Sequence, residues 1–303
     1  MSLVKQFNNK YFILLGIKLC QWAPRKMALA VIESLSSVIA GFKKTDLIKA
    51  VRSNQKVISQ DETLTSADLD KRTREVFRHA LTCYYDFFRN IDDLENMSAL
   101  FPTADELNMK FDLATKEAGA LVIAPHISNF NLLFHVITEK GFRAKLLTLS
   151  TLYSGYGVIN KIRSQVGAEI VSVEEGSYFN ETVEHLKSGG MAITAIDRPV
   201  PTRKHKNQVI FFGKPSALPV GYISMALAAN VPIIIISTYM TSKGLYDFRF
   251  SEKIHLKKYR NKMDDMLING ELILKKIEEL IKYTPEQWLM YYPVWPDQVN
   301  GEL

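Results

Sequence analysis

The sequence predicts an α/β protein in which a central mixed, mostly parallel sheet is flanked by helices and preceded by a long helical region. Two observations support this prediction. From about residue 116 onward, short apolar segments alternate with helical segments, as in sheets whose faces are covered by helices. Residues 1–115 instead carry apolar residues at helical spacing. We expect region 116–303 to form the α/β domain and region 1–115 to pack with it as one unit.

The first element is the apolar segment from Tyr11 to Trp22, which is the candidate for membrane contact. It falls short of the ~18–20 apolar residues that span a bilayer, and Lys18 interrupts it. It has no small-residue cleavage site, so a signal peptide is not expected. Aromatic and flanking basic residues favour an interfacial anchor, although an ordinary amphipathic core helix fits the same pattern. The flanking basic residues are Lys5, Lys10, Lys18, Arg25 and Lys26.

Three more helices are predicted in the first region, over 27–39, 44–59 and 66–90. Pro24 suits the start of the first of them. The third carries an aromatic stripe, which is more typical of a core than of a ligand site but could line an acyl or membrane groove. The stripe consists of Phe77, Tyr84, Tyr85, Phe87 and Phe88.

The second region alternates between the two kinds of element. Strands are predicted over 120–124, 144–148, 169–172, 191–196, 208–212 and 231–238. Helices are predicted over 129–139, 155–166, 178–188, 216–229 and 262–283. The segment 231–236 is the most apolar and is expected to be central, whereas 246–250 alternates and is expected to be antiparallel or at the edge.

The overall composition is that of a globular chain. Of its 303 residues 47% are hydrophobic and 23% are charged, which is enough for a large core. The net charge of +6 suits a soluble basic protein, an anionic membrane surface, an acidic carrier protein or nucleic acid as partner. Cys20 and Cys83 stand far apart, which favours a reducing compartment.

The candidate site lies where the first predicted strand ends. The apolar segment from Leu121 to Ala124 stops at Pro125, and His126 follows. Ser128 or Asn129 can cap the next helix. A histidine at the carboxyl end of a strand stands where open α/β sheets place their chemistry.

Several common catalytic motifs are absent from the sequence. It contains no nucleophile elbow, no phosphate-binding loop and no dinucleotide-binding glycine motif. Its six histidines have no metal-ligand spacing, so no metal is expected.

One pair of residues nevertheless suggests a chemistry. His126 is followed after four residues by Asn131, and a histidine followed at this spacing by a carboxylate is a known acyl-transfer dyad. Positions five apart do not share a helix face, but they converge if the histidine lies in the turn before the helix. Alone, this spacing is commonplace.

A wider set of motifs makes the pair specific. The segment from Ala124 to Asn131 resembles the first motif of the lipid A late acyltransferase family, a branch of the bacterial lysophospholipid and glycolipid acyltransferases that also includes the phosphatidylinositol mannoside acyltransferases. The family's motifs continue in the same order over about 110–296. The region before residue 110 resembles the family only in its general character and not in specific motifs. The other matching segments are Arg163 with Gly167, Asp197–Arg198, 209–215, 221–233 and Pro285–Trp288.

The resemblance implies a fold like that of glycerol-3-phosphate acyltransferase. It also implies transfer of a fatty acyl chain from an acyl thioester, of acyl carrier protein or coenzyme A, to a hydroxyl of a membrane lipid or glycolipid. His126 would deprotonate that hydroxyl. The sequence does not identify the donor that holds the oxyanion, and the backbone N–H groups at the start of the helix after His126 are the candidates. No cofactor beyond the thioester is implied.

The resemblance also suggests residues that contact substrate. Arg163 and Arg198 would bind phosphate, although Asp197 and Arg198 could instead form a local ion pair. The loop that contains Arg203, Lys204 and Lys206 could contact an acidic carrier protein or simply be solvated. The full set of expected substrate contacts is Ser128, Asn129, Arg163, Asp197, Arg198, Arg203, Phe212 and Gly213, with Gly213 also permitting a tight turn.

Asn131 departs from the family pattern, which has Asp or Glu at this position. An amide can orient an imidazole but cannot stabilise its charged form. Three explanations fit: an engineered inactive variant, a natural enzyme with a weaker or differently assisted base, or a non-catalytic lipid-binding relative. The last is the main alternative function.

The implied location is the cytoplasmic face of the bacterial inner membrane, with peripheral or monotopic attachment. Nucleic-acid binding rests on the basic charge alone and is not expected. The acceptor stays open among a lipid A precursor, a phosphatidylinositol mannoside, a lysophospholipid and another glycolipid.

Overall fold

The computed structural model describes residues 9–116, 118–139, 142, 144–148, 154–165, 167–174, 176–199 and 208–299. Within residues 9–116, six helices precede the sheet, which agrees with a helical first region. They are α1 Lys10–Trp22, α2 Arg25–Gly41, α3 Asp46–Ser59, α4 Ser66–Arg89, α5 Leu94–Ala99 and α6 Ala104–Thr115.

Helix α4 is the longest element of the first region and contacts α1, α2 and α3. It begins with a capping box, in which Thr65 accepts from the Asp68 backbone N–H and Asp68 accepts from that of Thr65. Most of the predicted aromatic stripe is buried and belongs to the core. Tyr84 is the exposed member.

The predicted mixed, mostly parallel sheet is confirmed. Six strands pair in the order β3-β2-β4-β1-β7-β8, and only β8 is antiparallel to its neighbour. The strands are β1 Ala120–Ile123, β2 Ala144–Thr148, β3 Glu169–Ser172, β4 Met191–Thr194, β7 Ile233–Met240 and β8 Tyr246–Phe250. The segment 246–250 is antiparallel at the edge, as expected.

The centre of the sheet differs from the prediction. Strands β4 and β1 are the middle pair, and β7 lies next to the edge strand β8. The apolar composition of β7 reflects burial on both faces, because Ile233–Ile236 are covered there. Burial on both faces does not require the middle position.

The helices of the second region cover the two faces of the sheet, and a hairpin precedes the fourth of them. They are α7 Phe130–Glu139, α8 Ser154–Gln165, α9 Tyr178–Lys187, α10 Ile223–Ala229, α11 Lys262–Tyr283 and α12 Pro296–Val299. The hairpin consists of β5 Val209–Phe211 and β6 Lys214–Ser216.

Helix α10 is shorter than the predicted helix 216–229. Ser216 belongs to β6, and a short 3-10 turn, Val220–Tyr222, precedes the helix. Pro219 explains the late start, because proline lacks the N–H that a helix interior needs.

Two buried side chains join the first region to the chain terminus. Asn54 on α3 donates to the carbonyls of Met290 and Tyr292 and accepts from the backbone N–H of Val294. Gln55 donates to the Pro285 carbonyl. These contacts place the segment after α11 between α3 and the sheet.

Helix α1 lies on the outside of the molecule. It has no buried residue, and the side chains of Tyr11 and Trp22 are 74% and 76% exposed. One face of α1 packs against α4 and α8 through half-buried Ile13, Ile17 and Cys20, and the opposite face is exposed and apolar. The interfacial anchor stays a prediction. Among the helices that the structure describes, none combines the length and the apolar character needed to cross a membrane.

Candidate active site

The site is built where the two middle strands end. Strands β1 and β4 are parallel neighbours, and the Ala124 backbone N–H donates to the Thr194 carbonyl just beyond their pairing. His126 lies three residues after β1, and Asp197 lies three residues after β4. Because parallel strands end at the same edge, the two side chains meet.

His126 and Asp197 form a hydrogen-bonded pair. The His126 Nδ1 lies 2.9 Å from Asp197 Oδ1, and the His126 backbone N–H donates to Oδ2 at 2.9 Å. Since an ionised carboxylate only accepts, Nδ1 carries the proton and Nε2 is left as the basic nitrogen. The His126 side chain is 22% exposed, so this nitrogen can be reached from outside.

Asp197 is fully buried and stays ionised at neutral pH. Burial by itself raises the pKa of Asp197. The adjacent His126 and the hydrogen bonds from its ring, from the Trp288 indole and from the His126 backbone lower that pKa below its ordinary value of 3.8. The carboxylate therefore keeps its charge where the imidazole works as a base.

The Trp288 indole completes the shell around this carboxylate, with Nε1 donating to Oδ2 at 2.8 Å. Trp288→Phe is expected to lower the free energy of unfolding by ~1.5–3 kcal/mol at pH 7, because a buried charge loses a donor. Asp197 contributes stability above its unfolded pKa, and this contribution is lost as the pH falls through the folded pKa. Urea titrations should therefore show that the loss of unfolding free energy in Trp288→Phe becomes smaller as the pH falls and Asp197 becomes protonated.

Trp295→Phe provides a matched control for this measurement. Trp295 is also buried, but its Nε1 has no acceptor among the described residues. Its replacement should cost less, and the cost should not depend on acid pH. Equal, pH-independent losses in the two variants would contradict the role given to Trp288.

Asn131 has a different partner from the one that the sequence predicts. It lies in the first turn of α7, is buried, and its Oδ1 accepts from Arg163 Nη2 at 2.6 Å. The carboxylate beside His126 is Asp197. In this structure Asn131 is therefore a partner of Arg163.

Arg163 lies close to the site but behind an aromatic ring. Its guanidinium is 6.0 Å from the Phe130 ring, and that ring is 5.3 Å from the His126 ring. Arg163 also donates to Asn160 at 3.1 Å. Side chains of α7 and α8 thus hold Arg163 so that only the Phe130 ring lies between it and His126.

Ser128 and Asn129, expected from the sequence to touch substrate, point into the protein. Ser128 is fully buried and its hydroxyl lies 2.9 Å from His79 Nε2. Asn129 donates to the Cys83 carbonyl and accepts from the Leu132 backbone N–H, so it caps α7. Asp197 is likewise fully buried, with its carboxylate bonded to His126 and Trp288.

Phe212 and Gly213 form the two-residue turn of the β5–β6 hairpin. Both have positive φ, 51° and 72°, and the glycine suits this conformation. Phe212 is buried against Trp295, and its backbone N–H donates to Glu278 at 2.5 Å. The tight turn expected at Gly213 is present, whereas the Phe212 side chain belongs to the core.

The remaining basic candidates divide into two groups. The Arg198 guanidinium lies 4.2 Å from the Tyr292 ring, beside the buried Asp197. Arg203, Lys204 and Lys206 lie outside the described residues.

The backbone N–H groups expected to hold an oxyanion are those at the start of α7. Among them the Leu132 N–H donates to Asn129 Oδ1 at 3.2 Å. No cluster of metal-ligating side chains occurs within the described part of the chain.

Sequence reasoning missed three features of this site. Asp197 was expected to contact substrate, although its position after a neighbouring parallel strand could have marked it as the partner of His126. Trp288 lies in a segment that carries the family resemblance, but no local signal indicates its partner or that of His79, because these contacts join segments far apart in the sequence.

Three comparisons relate this chain to known proteins. A solved structure, the 1-acyl-sn-glycerophosphate acyltransferase PlsC from Thermotoga maritima, is similar at 15% sequence identity and a TM-score of 0.36, covering 83% of this chain and 97% of that chain. No curated protein sequence matches. The family model described as bacterial lipid A biosynthesis acyltransferase matches residues 75–296. Since this match spans most of the 303 residues, the chain belongs to the bacterial lipid A biosynthesis acyltransferase family.

Proposed function

We propose that this chain transfers a fatty acyl group from an acyl thioester, of acyl carrier protein or coenzyme A, to a hydroxyl of a membrane lipid or glycolipid. The observation that supports this most is the His126–Asp197 pair at 2.9 Å in a chain of an acyltransferase family. A base that is oriented by a buried carboxylate suits proton removal from an alcohol.

The proposed reaction needs only groups that the chain and its substrates supply. His126 Nε2 takes the proton of the acceptor hydroxyl while the oxygen attacks the thioester carbonyl. The carbon–sulfur bond then breaks, the imidazolium returns the proton to the leaving thiolate, and an ester and a free thiol result. Asp197 remains ionised and stabilises the imidazolium throughout.

Two arginines support a phosphate-bearing substrate. Arg163 is separated from His126 by the Phe130 ring, and Arg198 directly follows Asp197 in the sequence. A guanidinium binds phosphate through two parallel hydrogen bonds. We assign both to the phosphate of the acceptor or of the thioester donor.

The exposed apolar surface of α1 and α2 supports peripheral attachment to a membrane. A surface that contacts lipid presents apolar or aromatic side chains that are exposed on the protein. Both helices present several such residues, with lysine and arginine alongside. We place this surface on the cytoplasmic face of the bacterial inner membrane.

The deciding experiment is a turnover assay with the intact chain. Acyl-CoA or acyl carrier protein is mixed with a panel of lysophospholipid and glycolipid acceptors in vesicles, and thiol release and acylated product are measured together. We expect product only when thioester and acceptor are both present, and His126→Gln sets the background. If lipid binds but no donor gives product, the chain is a lipid-binding pseudoenzyme and the proposal fails.

A further inference from the structure

The turn that presents His126 contains a residue in an unusual conformation. Ser128 has φ 51°, in the left-handed region that non-glycine residues seldom occupy. It lies between His126 and the start of α7, and no part of it is exposed. A backbone in this region persists only where the surrounding contacts hold it.

Helix α4 supplies one of those contacts from the first region. His79 Nε2 lies 2.9 Å from the Ser128 hydroxyl, and the Cys83 thiol lies 3.3 Å from the same nitrogen. One residue further, Asn129 donates to the Cys83 carbonyl at 3.1 Å. One turn of α4 therefore holds two consecutive residues that follow the catalytic histidine.

A second contact holds Ser128 through its backbone. Its N–H donates to the Gln287 carbonyl at 2.8 Å, and the Leu289 N–H donates to the His126 carbonyl at 2.8 Å. These bonds fix the strand-like path of the turn beside Trp288. The Ser128 side chain is instead held from α4, with its hydroxyl 2.9 Å from His79 Nε2 and 4.0 Å from the Cys83 sulfur.

His79 and Cys83, the side chains next to the Ser128 hydroxyl, both stay uncharged near neutral pH. Burial and the neighbouring Arg78 lower the pKa of His79 to about 3. Burial raises the pKa of the Cys83 thiol to about 12. His79 is thus a neutral imidazole, and either tautomer can make a hydrogen bond with a hydroxyl, which donates and accepts.

We propose that His79 is a positioning residue of the active site, whose hydrogen bond to Ser128 holds the left-handed turn that keeps His126 aligned on Asp197. The inference rests on the proposed function only for its kinetic consequence. His79 is buried and its ring bonds to Ser128 and Cys83, so it acts on His126 through Ser128. Small displacements of a base lower the rate steeply, because proton transfer depends on geometry.

The kinetic test compares three variants. His79→Leu removes the hydrogen bond and is expected to lower kcat by ~10–100-fold, with KM for the thioester within about twofold. His79→Gln places a polar atom near the former Nε2 and should recover most of kcat. Adding Ser128→Gly to His79→Leu should also raise kcat, because glycine adopts positive φ without side-chain support.

A matched control separates alignment from general loss of packing. Thr82→Val changes a buried residue on the same helix whose hydroxyl bonds within that helix, to the Arg78 carbonyl. It should keep the kcat of the unmodified chain. If His79→Leu keeps its kcat as well, or if glycine at position 128 gives no recovery, the proposed role is wrong.

A readout that does not need turnover keeps this inference separate from the proposed function. The proton on His126 Nδ1 should give a downfield proton NMR resonance, as expected for an imidazole bonded to a carboxylate. The resonance should weaken in His79→Leu and return in the double variant. If His79→Leu does not fold, Ser128→Ala removes the same hydrogen bond from the other side, and an unchanged resonance there overturns the proposal.

Discussion

Asp197→Asn is expected to lower kcat by ~10³–10⁴-fold, while KM for the thioester changes little. The size follows the effect of removing the carboxylate charge from a histidine–carboxylate pair in serine proteases. The reason here is specific. The His126 backbone N–H and the Trp288 indole both donate to Oδ2, so an amide would place its oxygen there.

That orientation has a consequence for the base. The amide NH₂ would then face His126 Nδ1, which would have to accept rather than donate. The imidazole proton would move to Nε2, and Nε2 could no longer take a proton from the acceptor. Steady-state kinetics with saturating acceptor measure the loss, and a circular dichroism melt checks that the variant is folded.

Asn131→Asp is the matched control for this prediction. A carboxylate at position 131 would face Arg163, which already donates to this side chain at 2.6 Å. We therefore expect a change in kcat of less than ~10-fold, with some gain in stability from the ion pair. The opposite pattern, an active Asp197→Asn variant and a large gain from Asn131→Asp, would transfer the carboxylate role to position 131.

The contrast between these two positions defines what the sequence could predict. Local pattern was sufficient to place His126 at the end of a buried strand, because apolar runs, proline and a cap residue are all neighbours in sequence. It was not sufficient to choose between Asn131 and Asp197. That choice depends on which strands pair, and β1 pairs with β4 across 71 residues of sequence.

The same limit explains the substrate contacts expected at Ser128 and Asn129. From the sequence alone, small polar residues beside a catalytic histidine can point either outward to a substrate or inward to the protein. Their direction is set by α4, through His79 and Cys83, and nothing near position 128 in the sequence indicates that helix. The fold class, by contrast, depends on alternation of segments and was fully predictable.

Leu15→Ser, Leu19→Ser and Trp22→Ser in one chain are expected to weaken vesicle binding by ~10²–10³-fold. The three side chains are 55%, 55% and 76% exposed, so their replacement removes little packing within the protein. Partial burial of each in lipid is worth ~1 kcal/mol or more, and every 1.4 kcal/mol is about tenfold in affinity. Co-sedimentation with vesicles that contain anionic lipid measures the change.

The control for this surface uses exposed apolar residues elsewhere on the molecule. Met109 and Leu113 on α6 and Ile210 on β5 are 59%, 71% and 46% exposed. Serine at these three positions lowers overall hydrophobicity to a similar degree but leaves α1 and α2 unchanged. If both triple variants bind vesicles equally weakly, attachment is non-specific. If only the α1 variant loses binding, α1 is the membrane-contacting surface, because lipid binding then depends on where the apolar residues lie and not on how many the chain contains.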